Sequence, residues 1–340
     1  MLALYLNIIY PLFAFVCYFR HSTEAKHGLQ MKLFFKYLRQ YVQEHFNLKL
    51  YLSIAGFLIV CIMFNYYFDF EDSVIDSYFG QPIQLLYFFL FQSIPFYTVC
   101  FLIYHFTSVK EFVYQRGFWV TSLVGFIVLA LDRSFHLHQF LLPLLPYQLD
   151  TYVYRCISNL STFLVVVTPL YLFYKLIDKR QSSFYGVTSK GVTIKPYLIL
   201  LLLVLPLVVG ASFSDDFLRQ YPMYQRANGL VASQFLKLPE WVMAMGYEIT
   251  YALSFFSVEL FFRGFLILGL MRYLGPYVIL PMVATYAFLH FGKPVGETIG
   301  SIFGGYILGI VAYYSRNIWG GVVVHMGLAL LMEFAAFLHR

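Results

Sequence analysis

The chain has 340 residues, 60% of them hydrophobic and only 12% charged, with a net charge of +6. Soluble domains are about half apolar and about a quarter charged, so this composition leaves too little polar surface to solvate a globule, and a bilayer must be the main solvent. Basic residues in such a chain report which loops stay cytoplasmic, so the positive charge does not point to nucleic acid, and membrane lipid is the first expected partner.

A spanning helix needs about 20 mainly apolar residues, and about ten segments qualify. They are 2–19, 51–68, 82–105, 118–132, 157–177, 197–214, 240–271, 277–291, 298–315 and 319–338. The first, Leu2 to Phe19, lacks the basic start and small-residue cleavage site of a signal peptide, so a retained anchor or first span is expected. Segment 20–50 carries Arg20, Lys26, Lys32, Lys36, Arg39 and Lys49, whereas 69–81 has Asp69, Glu71, Asp72 and Asp76 and no Lys or Arg. Lys110 and Arg116 mark the loop 106–117, and 175–195 is basic again, with Lys175, Lys179, Arg180, Lys190 and Lys195. Basic short loops prefer the cytoplasm, which puts the N-terminus and 69–81 outside and 20–50 and 175–195 inside. Within 30–48, Leu33, Phe34, Tyr37, Leu38 and Tyr41 recur at helical spacing between charged residues. This pattern suits a helix lying on the membrane face or one covering the bundle. Cys17, Cys61, Cys100 and Cys156 show no metal or redox spacing and read as small hydrophobes.

Residues 178–195 are the most polar stretch and carry Gly186 and Gly191. They divide a region without chemical motifs, 1–180, from a motif-bearing bundle, 196–340. Neither an internal repeat nor a low-complexity tract is visible. The fold class is all-α, and the protein reads as a multi-pass integral membrane protein, placed in a bacterial plasma membrane.

Ionisable groups at membrane depth are costly and default to a functional reading. Three helices of the second region carry them. In 254–266, Glu259 and Arg263 are four residues apart and share a face; they are either a packing ion pair or a water-polarising carboxylate held by an arginine. In 285–294, His290 closes an apolar run with Tyr286 one turn before it, and Gly292 and Pro294 end the helix. In 318–334, His325 sits mid-helix and needs a hydrogen-bond partner or a water cavity. Glu333, two turns on, is either a lining or a boundary residue. Between the last two motifs, Gly300, Ser301, Gly304, Gly305 and Gly309 space small residues by four, as in a close-packing strut.

A carboxylate and an imidazole can share the activation of a water, and a second imidazole can donate to a developing oxyanion. Glu259, His290 and His325 could equally ligate a divalent metal such as zinc, since His2Glu is a catalytic zinc set, although no His-Glu-x-x-His helix is present. Spacing does not choose between these, and the need for a cofactor stays open.

In their order, the Glu-x-x-x-Arg-Gly helix, the aromatic-x-x-x-His helix, the Gly-rich helix ending near Arg316-Asn317 and the apolar helix with His325 resemble the CPBP (Abi) family, which includes the CAAX prenyl endopeptidases. The resemblance covers 196–340 and is clearest over 247–330. It implies an intramembrane endopeptidase acting on a membrane-associated peptide or protein. Glu259 and His290 would then stand near the water, His325 toward the oxyanion, and Arg263 would orient Glu259. The family's first motif has two adjacent Glu, and here Val258 replaces the first; its third has Asn four residues after the His, and here Ala329 stands there; Tyr286 replaces a Phe. Losing an oxyanion donor costs about a hundredfold or more, and losing a general base about 100- to 10,000-fold. Glu259 would substitute for the missing Glu only on a shifted or distorted helix, because neighbours are about 100° apart, and Glu248 is about 16 Å away by helical rise. The departures keep a second reading in play, a pseudoprotease that binds a peptide or partner. A transporter is the third, and it lacks the inverted repeats expected of one.

Overall fold

In hydrocarbon every backbone N–H and C=O must be satisfied within its own segment, so an open chain crosses a bilayer as helices. The computed structural model describes residues 25–135, 142–189 and 194–339, and these form helices without a β-strand. The protein is an all-α multi-pass membrane protein: among the described residues, seven helical stretches are long and apolar enough to cross. The expected first span, 2–19, lies outside the described residues.

In chain order the helices are α1 (Ala25–His45), α2 (Leu48–Phe68), α3 (Ile83–Phe106), α4 (Arg116–Ser134) and α5 (Tyr147–Leu176). Then come α6 (Lys195–Ala211) and three short helices, α7 (Asp215–Gln220), α8 (Met223–Arg226) and α9 (Gly229–Leu236). The motif helices follow: α10 (Glu240–Glu259), a π-helix (Leu260–Gly269), α11 (Leu270–Leu274), α12 (Ile279–Phe288), α13 (Val295–Ser315) and α14 (Trp319–Phe337). At 17 residues α6 is shorter than each of these seven stretches.

α1 uses its apolar stripe to cover the bundle. Phe34 and Tyr41 are buried, Tyr37 stacks on Tyr314 of α13 at 5.1 Å, and the Tyr41 hydroxyl donates to the Pro276 carbonyl at 3.1 Å. Asn47 caps α2 by accepting the Leu50 N–H at 3.1 Å, so α1 and α2 meet at a two-residue corner, Phe46–Asn47.

Glu240–Phe288 is one apolar stretch of 49 residues. It is a hairpin. Gly275 has φ +57°, a conformation open to glycine, and the chain reverses there. The Phe262 and Tyr286 rings then meet at 4.9 Å across the hairpin. α5 packs along α10, and α3 along both α4 and α12, so helices from both sides of the polar stretch share one core.

The first arm ends in the π-helix, whose ten residues are all buried. A π-helix spends one more residue per hydrogen-bonded ring than an α-helix and is found mostly at functional sites. It starts directly after Glu259. Residues of the polar stretch pack on it: a β-carbon at Gly264 would lie 2.7 Å from the Tyr185 carbonyl oxygen, and Tyr185 is fully buried with its hydroxyl donating to Asp178 at 3.2 Å. α13 is the expected strut, with the Gly305 and Gly309 face against Tyr286, Met282 and Ile279, while Gly300 and Gly304 face open space.

Candidate active site

Three elements bring the ionisable residues together. Glu259 at the end of α10 is fully buried, and its Oε1 lies 2.9 Å from Arg263 Nη1 and 3.1 Å from His325 Nδ1 of α14. Arg263, on the first π turn, is also buried, and its guanidinium stands 4.4 Å from the Tyr286 ring centroid. Two charges taken out of water need each other and further polar partners, and Glu259 has two on one oxygen. Its second oxygen, Oε2, has no hydrogen-bond partner in the protein and lies over Gly321, where any β-carbon would overlap it. Gly321 is therefore a requirement of the site.

His325 is held on three sides. Nδ1 donates to Glu259, since a carboxylate only accepts, which leaves Nε2 as the acceptor of the neutral ring. The Phe255 ring packs at 4.6 Å, and the Tyr286 hydroxyl stands 3.5 Å from Nε2, at the outer edge of hydrogen-bonding range. His290, just past the end of α12, donates from Nδ1 to the Tyr286 carbonyl at 2.9 Å. A carbonyl cannot donate, so the proton is on Nδ1, and Nε2 carries a free lone pair. The Tyr286 and His290 rings are 4.6 Å apart. The imidazole of His325 keeps 17% of its side-chain surface, and His290 is half-buried, whereas Glu259 is sealed.

Glu259, Arg263, His290 and His325 are thus brought together, with Tyr286 touching His290, His325 and Arg263. Sequence reasoning gives Tyr286 only as a motif position. Its signal is the hydroxyl that distinguishes it from the Phe of the resembling family.

The metal alternative does not fit this arrangement. The ligating atoms of Glu259, His290 and His325 do not gather within 4.8 Å of one another, and Glu259 bonds His325 directly. Among the described residues such a gathering occurs at Glu71, Asp72 and Asp76, and it includes none of these three. Glu333 is not a lining residue either: fully buried, it accepts the Met223 and Tyr224 N–H groups at 2.7 and 3.3 Å, at the start of α8. Glu248 is buried with neither carboxylate oxygen hydrogen-bonded, and the charge acting on it is Glu333. Val258 is half-buried against the apolar core, and Ala329 is buried.

The His290 loop is gripped from α2. Asn65 donates to the Phe291 carbonyl at 3.2 Å, and the Tyr66 hydroxyl donates to the Lys293 carbonyl at 2.5 Å. Thr298, 2.7 Å from that hydroxyl, donates to the His290 carbonyl at 2.6 Å. The turn after α2 adds Glu71, whose carboxylate packs on Gly292 and pairs with Arg133 at 3.5 Å. Burial raises the Glu71 carboxyl to about 7, against the opposing pull of Arg133.

With this geometry in hand, comparison with known proteins gives one match. Residues 240–331 match the family described as type II CAAX prenyl endopeptidase Rce1-like, and that segment runs from α10 to two-thirds of the way along α14. No curated protein and no solved structure matches the chain.

Proposed function

We propose, from the match of residues 240–331 to the family described as type II CAAX prenyl endopeptidase Rce1-like, that this protein hydrolyses a peptide bond in a membrane-associated peptide or protein. The observation that carries the reading is the convergence of Glu259, His290 and His325 from three helices beside Tyr286. His290 Nε2 has the free lone pair and the exposure to take a proton from water. Glu259, sealed and shared between Arg263 and His325, is better suited to orient His325 than to meet the water itself, which moves it from the role its motif implies. Arg263 holds Glu259, and His325, whose free Nε2 carries a lone pair and no hydrogen, does not fill the oxyanion role that its motif implies. A substrate ending in a prenylated cysteine motif is the first class to try.

The pseudoprotease reading is favoured by one observation: Val258, at the position of the family's first Glu, is half-buried in the apolar core and supplies no base. Cleavage of a membrane-peptide library in vesicles, prenylated peptides included, separates the two. Hydrolysis by the wild type that His290→Ala abolishes supports a protease. No hydrolysis by the wild type, with activity gained in Val258→Glu, overturns it in favour of an inactivated scaffold.

A further inference from the structure

We infer that the Tyr286 hydroxyl is the oxyanion donor of this site, replacing the amide that Ala329 lacks; the inference rests on the protease reading above. The side chain is almost wholly buried, yet its hydroxyl reaches the ring nitrogen of His325 that Glu259 does not engage, 3.5 Å from Nε2. His325 in its neutral form offers a lone pair there and no hydrogen. The hydrogen bond at that point therefore has to come from the hydroxyl. At 3.5 Å the contact is long, so the O–H is weakly held and can turn to a stronger acceptor. Hydrogen bonds of this kind are often loose before substrate binds and tighten in the reacting complex.

Arg263 makes the hydroxyl a good donor. The Arg263 guanidinium lies 4.4 Å from the ring centroid, and positive charge beside the ring draws electron density from it, so the O–H gives its hydrogen more readily. The backbone carbonyl of the same residue receives His290 Nδ1–H, which ties the base to the residue that carries the donor. Base and donor thus hang from one turn of α12 and stand on the same reacting carbonyl.

The step balances with water as the only co-reactant. The water oxygen attacks the scissile carbonyl carbon as His290 Nε2 takes one of its protons, and the carbonyl π pair moves onto oxygen. That oxyanion accepts the Tyr286 O–H. On collapse the C=O re-forms, the C–N bond breaks, and the proton on His290 passes to the leaving nitrogen. The products are a carboxylic acid, which then gives its remaining proton to water, and an amine, and Tyr286 is unchanged.

The sequence of the resembling family makes the test mild, because Phe stands at this position there. Tyr286→Phe removes one oxygen, keeps the ring under Arg263 and leaves His290's carbonyl partner in place. The assay uses the library peptide that the wild type cleaves fastest, in vesicles, with kcat and KM measured separately and unfolding temperature as a control. The expected result is a fall in kcat of about 100-fold or more, the loss found when one oxyanion donor is removed, with KM and unfolding temperature unchanged. Tyr286→Phe with wild-type kcat overturns the inference and leaves the protease reading standing. A fall in kcat that comes with a matching fall in unfolding temperature also overturns it, because the hydroxyl would then be structural. A wild type that cleaves no library peptide overturns the protease reading, and this inference with it.

Discussion

The helices before the polar stretch and those after it bury polar groups by opposite rules. After it, the buried groups at the centre of the site are charged and paired with one another: Glu259 with Arg263 and His325. Before it, those that reach the site are mainly neutral and paired with backbone: Asn65 with the Phe291 carbonyl, Tyr66 with the Lys293 carbonyl. A neutral amide or hydroxyl loses little when it leaves water for one good acceptor, whereas a charge loses several kcal/mol and is kept where charge has a use. The first region therefore serves as a frame for the His290 loop, and the second region holds the charged groups of the candidate site.

The largest effect should come from breaking the second rule. Glu259→Ala leaves Arg263 buried without its counter-charge, and a loss of about 3–5 kcal/mol in unfolding free energy is expected. Adding Arg263→Ala to that variant should recover most of the loss. If the double variant is no more stable than Glu259→Ala, the charges are not held by one another. The first rule is tested by Asn65→Ala and Tyr66→Phe, each of which leaves a loop carbonyl without its donor at a cost of about 1 kcal/mol. Both should shift the ring-nitrogen resonances of 15N-labelled His290 and spare those of His325; equal shifts at the two histidines would erase the distinction between frame and centre.

The smallest effect lies where the frame departs from its own rule, at Glu71. Its folded-state carboxyl is raised from the ordinary 4.5 to about 7 by burial, with Arg133 opposing and Asp76 and Asp72 adding to the rise. A raised carboxyl favours the fold while it is protonated. Stability from this group is present below pH 4.5 and is lost as the pH rises through about 7. Asp76, also raised by burial, slopes the same way. Glu71→Gln should flatten the fall in unfolding temperature between about pH 5 and about pH 8, read by thermal scans in detergent; an unchanged slope would show that Glu71 does not titrate there.

Much of this is legible in the residues themselves. Glu259, Arg263, His290 and His325 stand out because a charge or an imidazole inside an apolar run is too costly to keep without a use, and their convergence follows from the motif order. The role of Tyr286 is hidden, since an aromatic at that position satisfies the motif whether or not it carries a hydroxyl. The π-helix is hidden too: Leu260–Gly269 has no sequence period that separates one kind of helix from the other, and its wider turns come from packing. The grip on the His290 loop joins Asn65 and Tyr66 to residues 291–298, a pairing that only the folded chain makes. The gap between 271 and 277 anticipates the hairpin at Gly275.

Tyr185 gives the polar stretch a different standing from that of a tether between two bundles. Its carbonyl fills the notch at Gly264, the Ile318 N–H donates to the Gly186 carbonyl at 3.3 Å, and Arg272 binds Asp178 at 2.6 Å. A chain divided for co-expression as two fragments with residues 178–188 on the first would carry into the second a plug for its own π-helix. Neither piece would be autonomous, and complementation between them would report on that plug being seated.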